Sequence, residues 1–162
     1  MRAIQVTHHG GPEVLNYGTV DDPIPARDEV IARTTAIGVN FIDTYFRSGL
    51  YMPPALPSSL GTEGAGVVEA VGPDVSLFKP GDEVFYAGSI LRQGTNSEFH
   101  LVDERIVGNK PASLSFAQAA ALPLPVARIL AERNHPLGFG FDIIGLDVQV
   151  HARSMRDPLH FH

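Results

Sequence analysis

Polar and aromatic side chains recur at short intervals between residues 40 and 51, and they are the cluster whose types could most readily carry chemistry. Asn40, Asp43, Tyr45, Arg47 and Tyr51 supply an amide, a carboxylate, two phenols and a guanidinium. Amides and phenols donate hydrogen bonds while remaining neutral. If a helical turn begins near residue 42, Asp43 and Arg47 are four residues apart and can form an ion pair. The spacing leaves open whether this pair contacts a ligand or only braces the loop.

A second candidate is the glycine-rich run Gly-Thr-Glu-Gly-Ala-Gly at residues 61–66. Such runs bind phosphates when they open a helix, because the helix N-terminus presents free amides to the anion. Here the glycines lead into Val67 and Val68, which are typical of a strand. We therefore predict that these glycines permit a close backbone approach within a barrel strand and that they do not bind phosphate.

The residues available for binding a metal are few. The sequence has no cysteine, and four of its seven histidines lie at or beyond residue 135. It therefore offers no thiolate to complete a tetrahedral zinc site. His160 and His162 are interpreted as surface residues near the end of the sequence. No catalytic metal is predicted.

Composition narrows the classes of protein to which the chain can belong. Its 162 residues are enough for one domain, with or without a tail. The formal net charge of −6 argues against a nucleic-acid partner, since phosphate contacts need a basic face. No stretch is apolar for long enough to span a bilayer or to act as a secretory signal. A cytoplasmic protein with no membrane partner is the expectation.

The elements that must position these side chains are mostly short strands separated by Gly and Pro turns. Ser115 and Gln118 have the spacing of a capping box, which predicts a helix over residues 116–122. Residues 41–47 are a second helix candidate. Seven strands spaced in this way favour a mainly β (α+β) fold with short helices, built as a small irregular barrel. They are predicted over residues 1–7, 14–20, 29–39, 64–71, 83–86, 98–102 and 105–107.

The pattern changes after residue 124. Pro125 stands at the first turn of a short predicted helix, and alternation over residues 144–150 predicts one more strand. The sequence thus predicts a domain over residues 1–124 and an atypical C-terminal segment over residues 125–162.

Several motifs in ordered succession carry a family resemblance. They are HGGPEVL at residues 9–15, AIGVNFIDTYFRSGLY at 36–51, LPSSLGTEGAGVVEAVG at 56–72, FKPGDEVFYAG at 78–88 and KPASLSFAQAAALPL at 110–124. Together they resemble the zinc-free quinone oxidoreductase branch of the medium-chain dehydrogenase/reductase superfamily. The resemblance covers about the first three quarters of the chain.

The resemblance implies a GroES-like barrel that forms the substrate side of an enzyme transferring hydride from NADPH to a small-molecule quinone. It implies that Asn40, Tyr45 and Tyr51 line the catalytic cleft, and that Asn40 and Thr62 lie beside the nicotinamide of the cofactor. Zinc-dependent members of the superfamily use cysteine where Asn40 stands and histidine where Thr62 stands. Asn and Thr are poor zinc ligands, so this difference agrees with chemistry that needs no metal.

The resemblance stops where the family's Rossmann domain is expected. No G-x-G-x-x-G that follows a strand and opens a helix occurs downstream of Leu124. We expect a truncated or rearranged relative, or a different terminus in place of the cofactor domain, and activity of this chain alone is in question.

Two further hypotheses stay open. One is an enoyl-thioester reductase of the same superfamily, with Tyr51 as the proton donor. The other is a non-catalytic barrel protein that acts in protein–protein association. A barrel face without its Rossmann partner would also expose apolar surface, so a homo-oligomer is expected.

Overall fold

The computed structural model describes residues 1–53, 55–87 and 94–123. The helix predicted after Pro125, the strand predicted over residues 144–150 and the C-terminal histidines lie outside the described residues.

A small three-stranded sheet is formed by the N-terminal part of the chain. Strand β1 (Arg2–Val6) pairs antiparallel with β2 (Leu15–Thr19) on one side and with β4 (Ser58–Ser59) on the other. The strands predicted over residues 1–7 and 14–20 are thereby confirmed, as an antiparallel pair. Its second strand begins one residue later than predicted, because Pro12–Val14 forms a 3-10 helix. The proline at the start of this turn has the backbone φ that a helical turn requires.

The larger sheet has five strands in the order β7-β3-β5-β6-β8, and every neighbouring pair is antiparallel. It is an open, curled sheet that forms a half-barrel. This architecture confirms the predicted mainly β class with short helices. The strands are β3 (Glu29–Ile37), β5 (Glu63–Val71), β6 (Glu83–Ala87), β7 (Phe99–Asp103) and β8 (Val107–Asn109).

One predicted strand is wrong. Residues 105 and 106 do not form a strand, because Glu104–Ile106 is a 3-10 helix, and β8 begins only at Val107. The Asp103 side chain accepts a hydrogen bond from the Arg105 amide at 2.9 Å. An aspartate that caps its own following turn in this way competes with strand pairing.

The two faces of the large sheet bury different side chains. The inner face packs a cluster of valines with Tyr86 and Phe78, and the opposite face packs Phe85 against helix α2 (Phe116–Ala120). The predicted capping box of α2 is confirmed. Ser115 Oγ accepts from the Gln118 amide at 3.2 Å, and Gln118 Oε1 accepts from the Ser115 amide at 2.9 Å. The helix ends two residues earlier than predicted.

The glycines of residues 61–66 lie where the backbone has no room for a side chain. A Cβ added at Gly66 would collide with the backbone carbonyl of Arg33 on the neighbouring strand β3. Gly61 has φ +99°, a conformation that favours glycine. These glycines belong to a strand and to the turn before it, so the strand interpretation of the sequence is confirmed.

Candidate functional site

Asn40 stands at the corner where the end of β3 passes into helix α1 (Phe41–Ser48). It is the N-cap residue of that helix, and the start of β5 lies beside it. The Asp43 carboxylate accepts from the Asn40 backbone amide at 2.8 Å, which is the return half of a capping box. Glu63 Oε1 accepts from the Asn40 side-chain nitrogen, also at 2.8 Å. Asn40 is therefore held through both its backbone and its side chain.

The ion pair between Asp43 and Arg47 that the sequence suggested is not formed, and this prediction is corrected. Asp43 is buried and turns back to the helix N-terminus, where it satisfies an amide that has no partner within the helix. Arg47 lies one turn further on, and its Nε donates to the Gly10 carbonyl at 3.3 Å. Each residue therefore braces a different contact.

The electrostatic environment of Asp43 follows from its burial. Removal of the carboxyl from water raises its pKa, and the nearby Glu63 acts in the same direction. The backbone amides of Asn40 and Gly61 oppose this effect by stabilising the charged form. The pKa of Asp43 is raised overall, because two acidic side chains meet at a poorly solvated corner of the fold.

Tyr45, on α1, and Tyr51, in the loop after it, lie together. Their rings form an edge-to-face pair with centroids 5.5 Å apart, and Phe46 contacts the Tyr51 ring at 5.9 Å. The Tyr51 amide donates to the Tyr45 carbonyl at 3.1 Å, which returns the loop onto the helix. Both phenol rings are partly exposed. Such a pair offers a firm apolar wall with hydroxyl groups at its edge.

Thr62 lies immediately before Glu63, at the entrance to β5. It is buried, and its hydroxyl oxygen has no hydrogen-bond partner within the described part of the chain. Buried hydroxyls are nearly always hydrogen-bonded, so one without a partner is consistent with a contact to a bound molecule or to water. The structure thus brings Asn40 and Thr62, which are 22 positions apart in the sequence, to one corner.

Large apolar side chains that adjoin Asn40 and Tyr51 in the sequence are exposed. Phe41 is 84% exposed and Met52 is 72% exposed, and Val39 and Leu50 are also exposed. The sequence analysis did not identify these residues individually.

Glu63 is the residue at this site that the sequence analysis missed. It stands inside the glycine-rich run, where only the glycines were interpreted. A carboxylate among small residues at the start of a strand was the available signal, because a charged side chain with no water-facing position needs a partner.

Within residues 1–53, 55–87 and 94–123, no group of three or more histidine, aspartate or glutamate side chains is arranged to hold a metal ion. None of the helices in these ranges is both long and apolar enough to cross a membrane.

The open antiparallel sheet, with helix α1 beginning at the end of β3, is the basis for comparing this domain with known families. The family model for the alcohol dehydrogenase GroES-like domain matches residues 26–123. The chain belongs to this family.

Quinone oxidoreductases are among its relatives. The chain is 51% identical over 123 residues to a quinone oxidoreductase of Pseudomonas aeruginosa, a match that covers 76% of this chain and 37% of that relative. It is 50% identical over 118 residues to quinone oxidoreductase 1 of Escherichia coli, covering 73% of this chain and 36% of that relative. The chain therefore spans little more than a third of the length of these curated relatives.

Solved structures of quinone oxidoreductases also resemble this chain. The crystal structure of Escherichia coli quinone oxidoreductase complexed with NADPH superposes with a TM-score of 0.78 at 44% identity, covering 83% of this chain and 41% of that one. The quinone oxidoreductase of Pseudomonas syringae pv. Tomato superposes with a TM-score of 0.77 at 47% identity, with the same coverage.

Proposed function

We propose that this chain forms the substrate side of an NADPH-dependent quinone oxidoreductase that works without a metal. The observation that carries the proposal is the hydrogen bond that joins Asn40, before α1, to the first residue of β5 beside Thr62. The edge-to-face pair of Tyr45 and Tyr51, on α1 and in the loop after it, adds support. Sequence identity near 50% with quinone oxidoreductases, and the NADPH complex of one structural neighbour, support it. Because those relatives extend well beyond the matched part, activity of the whole protein is part of the proposal.

The polar atoms at the corner fit the nicotinamide end of the cofactor. Thr62 has a buried hydroxyl without a partner in the described part of the chain. The Asn40 side chain has two N–H groups, and Glu63 accepts one of them. An amide and a hydroxyl can together recognise a carboxamide through neutral hydrogen bonds. When bound, NADPH supplies the hydride, and the residues of this chain bind and orient the reactants.

A quinone needs little help from the protein beyond orientation. Its reduction produces an aromatic hydroquinone, so its carbonyl oxygens do not need the strong polarisation that a metal ion gives to a simple ketone. In this proposal the partly exposed Tyr51 hydroxyl donates a hydrogen bond to a substrate oxygen, and the Tyr45 ring, which packs edge-to-face on Tyr51, supplies an apolar surface beside it. The exposed apolar residues around the corner suit a flat, apolar substrate.

Binding of NADPH is the first test. The 162-residue chain is titrated with NADPH by calorimetry, followed by an assay of NADPH oxidation with 1,4-benzoquinone. We expect Thr62→Val to weaken binding by about threefold to tenfold, the range that one lost hydrogen bond supports. Thr35→Val, at an exposed position on β3, is the matched control. No heat of binding at millimolar NADPH would refute cofactor binding by this chain.

The same residues are compatible with an enoyl-thioester reductase, in which Tyr51 protonates the substrate. The partly exposed Tyr51 hydroxyl is the observation in its favour. The two enzymes are distinguished by substrate. If crotonyl-CoA is reduced and 1,4-benzoquinone is not, the quinone assignment is wrong.

A second candidate function is self-association through the exposed apolar residues at the corner. Phe41 and Met52 expose most of their surface, and burying such surface is favourable. We propose a homo-oligomer and expect the double substitution of Phe41 and Met52 by serine to yield monomers in light scattering. Ile24→Ser, at an exposed site elsewhere, is the control and leaves the mass unchanged. A monomeric wild-type chain overturns this candidate.

A further inference from the structure

We propose that Glu63 is a positioning residue, whose carboxylate fixes the orientation of the Asn40 side-chain amide. The inference deepens the proposed function, because it concerns the side chain that is assigned to ligand contact there. It rests on three features: the direct contact, the chemistry of an amide beside a carboxylate, and the space that Gly38 leaves open.

The contact joins two elements that are distant in sequence. Glu63 is the first residue of β5 and is only 3% exposed, while Asn40 precedes α1. Glu63 Oε1 accepts from the Asn40 side-chain nitrogen at 2.8 Å, a normal length for a charge-assisted hydrogen bond. Asp43 holds the Asn40 backbone at the same time. The amide therefore extends from a main chain that is already anchored.

A carboxylate distinguishes the two ends of an amide. An ionised carboxylate only accepts hydrogen bonds, whereas an asparagine side chain donates from nitrogen and accepts at oxygen. Rotation of the amide by half a turn would place its oxygen against Glu63, losing the hydrogen bond and opposing two acceptors. The nitrogen is thus kept on the Glu63 side. Its second N–H has no acceptor within the described residues, so it is the donor that remains for a ligand.

Gly38 provides the space in which the carboxylate lies. A Cβ added at Gly38 would collide with Oε1 of Glu63 and crowd the rest of its side chain. The Gly38 amide also donates to the Glu63 backbone carbonyl at 3.2 Å, so the two segments cannot separate easily. An alanine at position 38 therefore displaces the carboxylate without altering Asn40 or Glu63 themselves.

The proposal is tested by following the Asn40 side-chain amide in nitrogen-15 NMR spectra of the 162-residue chain. Its signal is assigned by its disappearance in Asn40→Ala. In the wild type we expect one Asn40 amide proton to lie further downfield than either amide proton of the exposed Asn16 side chain, and to exchange with water about tenfold more slowly, as a charge-assisted hydrogen bond implies. Equal shifts and equal exchange for the two asparagines would overturn the proposal before any glutamate variant is made.

Glu63→Gln keeps the shape of the side chain but can either donate or accept. We expect the downfield Asn40 proton to move towards the shifts of Asn16 and its exchange with water to accelerate by about tenfold. Gly38→Ala should give the same change. The matched controls are Glu69→Gln, an exposed glutamate on the same strand, and Gly18→Ala, where an added Cβ meets nothing within 4 Å. An Asn40 signal that is unchanged in folded Glu63→Gln refutes the inference.

This outcome is separable from that of the proposed function, because the amide signal is read without any cofactor. NADPH binding with an insensitive Asn40 signal removes the role of Glu63 and leaves the function standing. An Asn40 signal that responds to these substitutions, without NADPH binding, supports the role of Glu63 and counts against the proposed function.

Discussion

The inner face of the large sheet is lined by apolar side chains and the corner at the start of β5 by polar ones, although strand β5 contributes to both. Along β5, Val68 lies in a sealed apolar cluster, whereas Glu63 at the beginning of the strand is buried among polar groups. The apolar cluster gains stability by removing hydrocarbon from water. The corner instead buries two carboxylates, which lowers the stability of the fold unless both are well hydrogen-bonded. Substitutions in the cluster should therefore change stability, and substitutions in the corner should change ligand binding.

The largest effect is expected at the centre of the cluster. Tyr86 is 1% exposed and stacks on His100 with ring centroids 5.1 Å apart. Tyr86→Ala should lower the free energy of unfolding by about 3–5 kcal/mol, because it leaves a cavity. Urea unfolding measures this loss, and Ile24→Ala at an exposed position serves as the control. A loss below about 1 kcal/mol would contradict the assignment of this cluster as the stabilising core.

His100 tests whether polar groups are tolerated inside the cluster. It is buried, and neither ring nitrogen has a hydrogen-bond partner of normal geometry within the described residues. Burial lowers its pKa to about 4. The unfolded chain therefore binds a proton at a higher pH than the folded chain, and stability is lost as the pH falls from about 6.5 towards 4.

Replacement of His100 by phenylalanine removes this titration while keeping an aromatic ring. Between neutral pH and about pH 4.5, the variant should lose about 2–3 kcal/mol less stability than the wild type. Asp43, whose pKa is raised, contributes with the opposite sign, but it is present in both proteins and cancels in the difference. His8→Gln, at an exposed site, should behave like the wild type. Parallel losses in wild type and H100F would show that His100 is not the titrating group.

Helix α2 covers the opposite face of the sheet and gives an intermediate effect. Ser115→Ala removes the oxygen that accepts from the Gln118 amide, and we expect a loss of about 1 kcal/mol in the free energy of unfolding. Ser76→Ala, at an exposed position outside any helix, is the comparison. If the two variants unfold at the same urea concentration, the capping box does not contribute to stability.

The smallest effect on stability is expected at the corner. Tyr51→Phe removes a partly exposed hydroxyl and should change the free energy of unfolding by less than about 0.5 kcal/mol. If the proposed function is correct, quinone reduction should nevertheless fall by about tenfold, since one hydrogen-bond donor to the reacting oxygen is lost. Tyr17→Phe, on the exposed strand β2, should change neither quantity. An unchanged rate in Tyr51→Phe removes Tyr51 from the chemistry.

Local chemistry in the sequence determined much of this molecule. The strands around the Gly and Pro turns, the capping box of Ser115 and Gln118, and the close approach at Gly66 each depend on neighbouring residues or on the absence of a side chain. Such features are set within a few positions along the chain. The family motifs also mark Asn40 and Thr62 as candidates for the site, which stays a prediction.

Only the tertiary structure decided which partner each polar side chain takes. Helical spacing alone matched Asp43 with Arg47, but burial at the helix N-terminus turned Asp43 towards the Asn40 amide. The contact between Asn40 and Glu63 spans 23 residues and exists because β5 returns beside the end of β3. Periodicity encodes which face of an element is apolar. It does not encode which distant group will meet a buried charge, because that depends on how the packed elements exclude water around it.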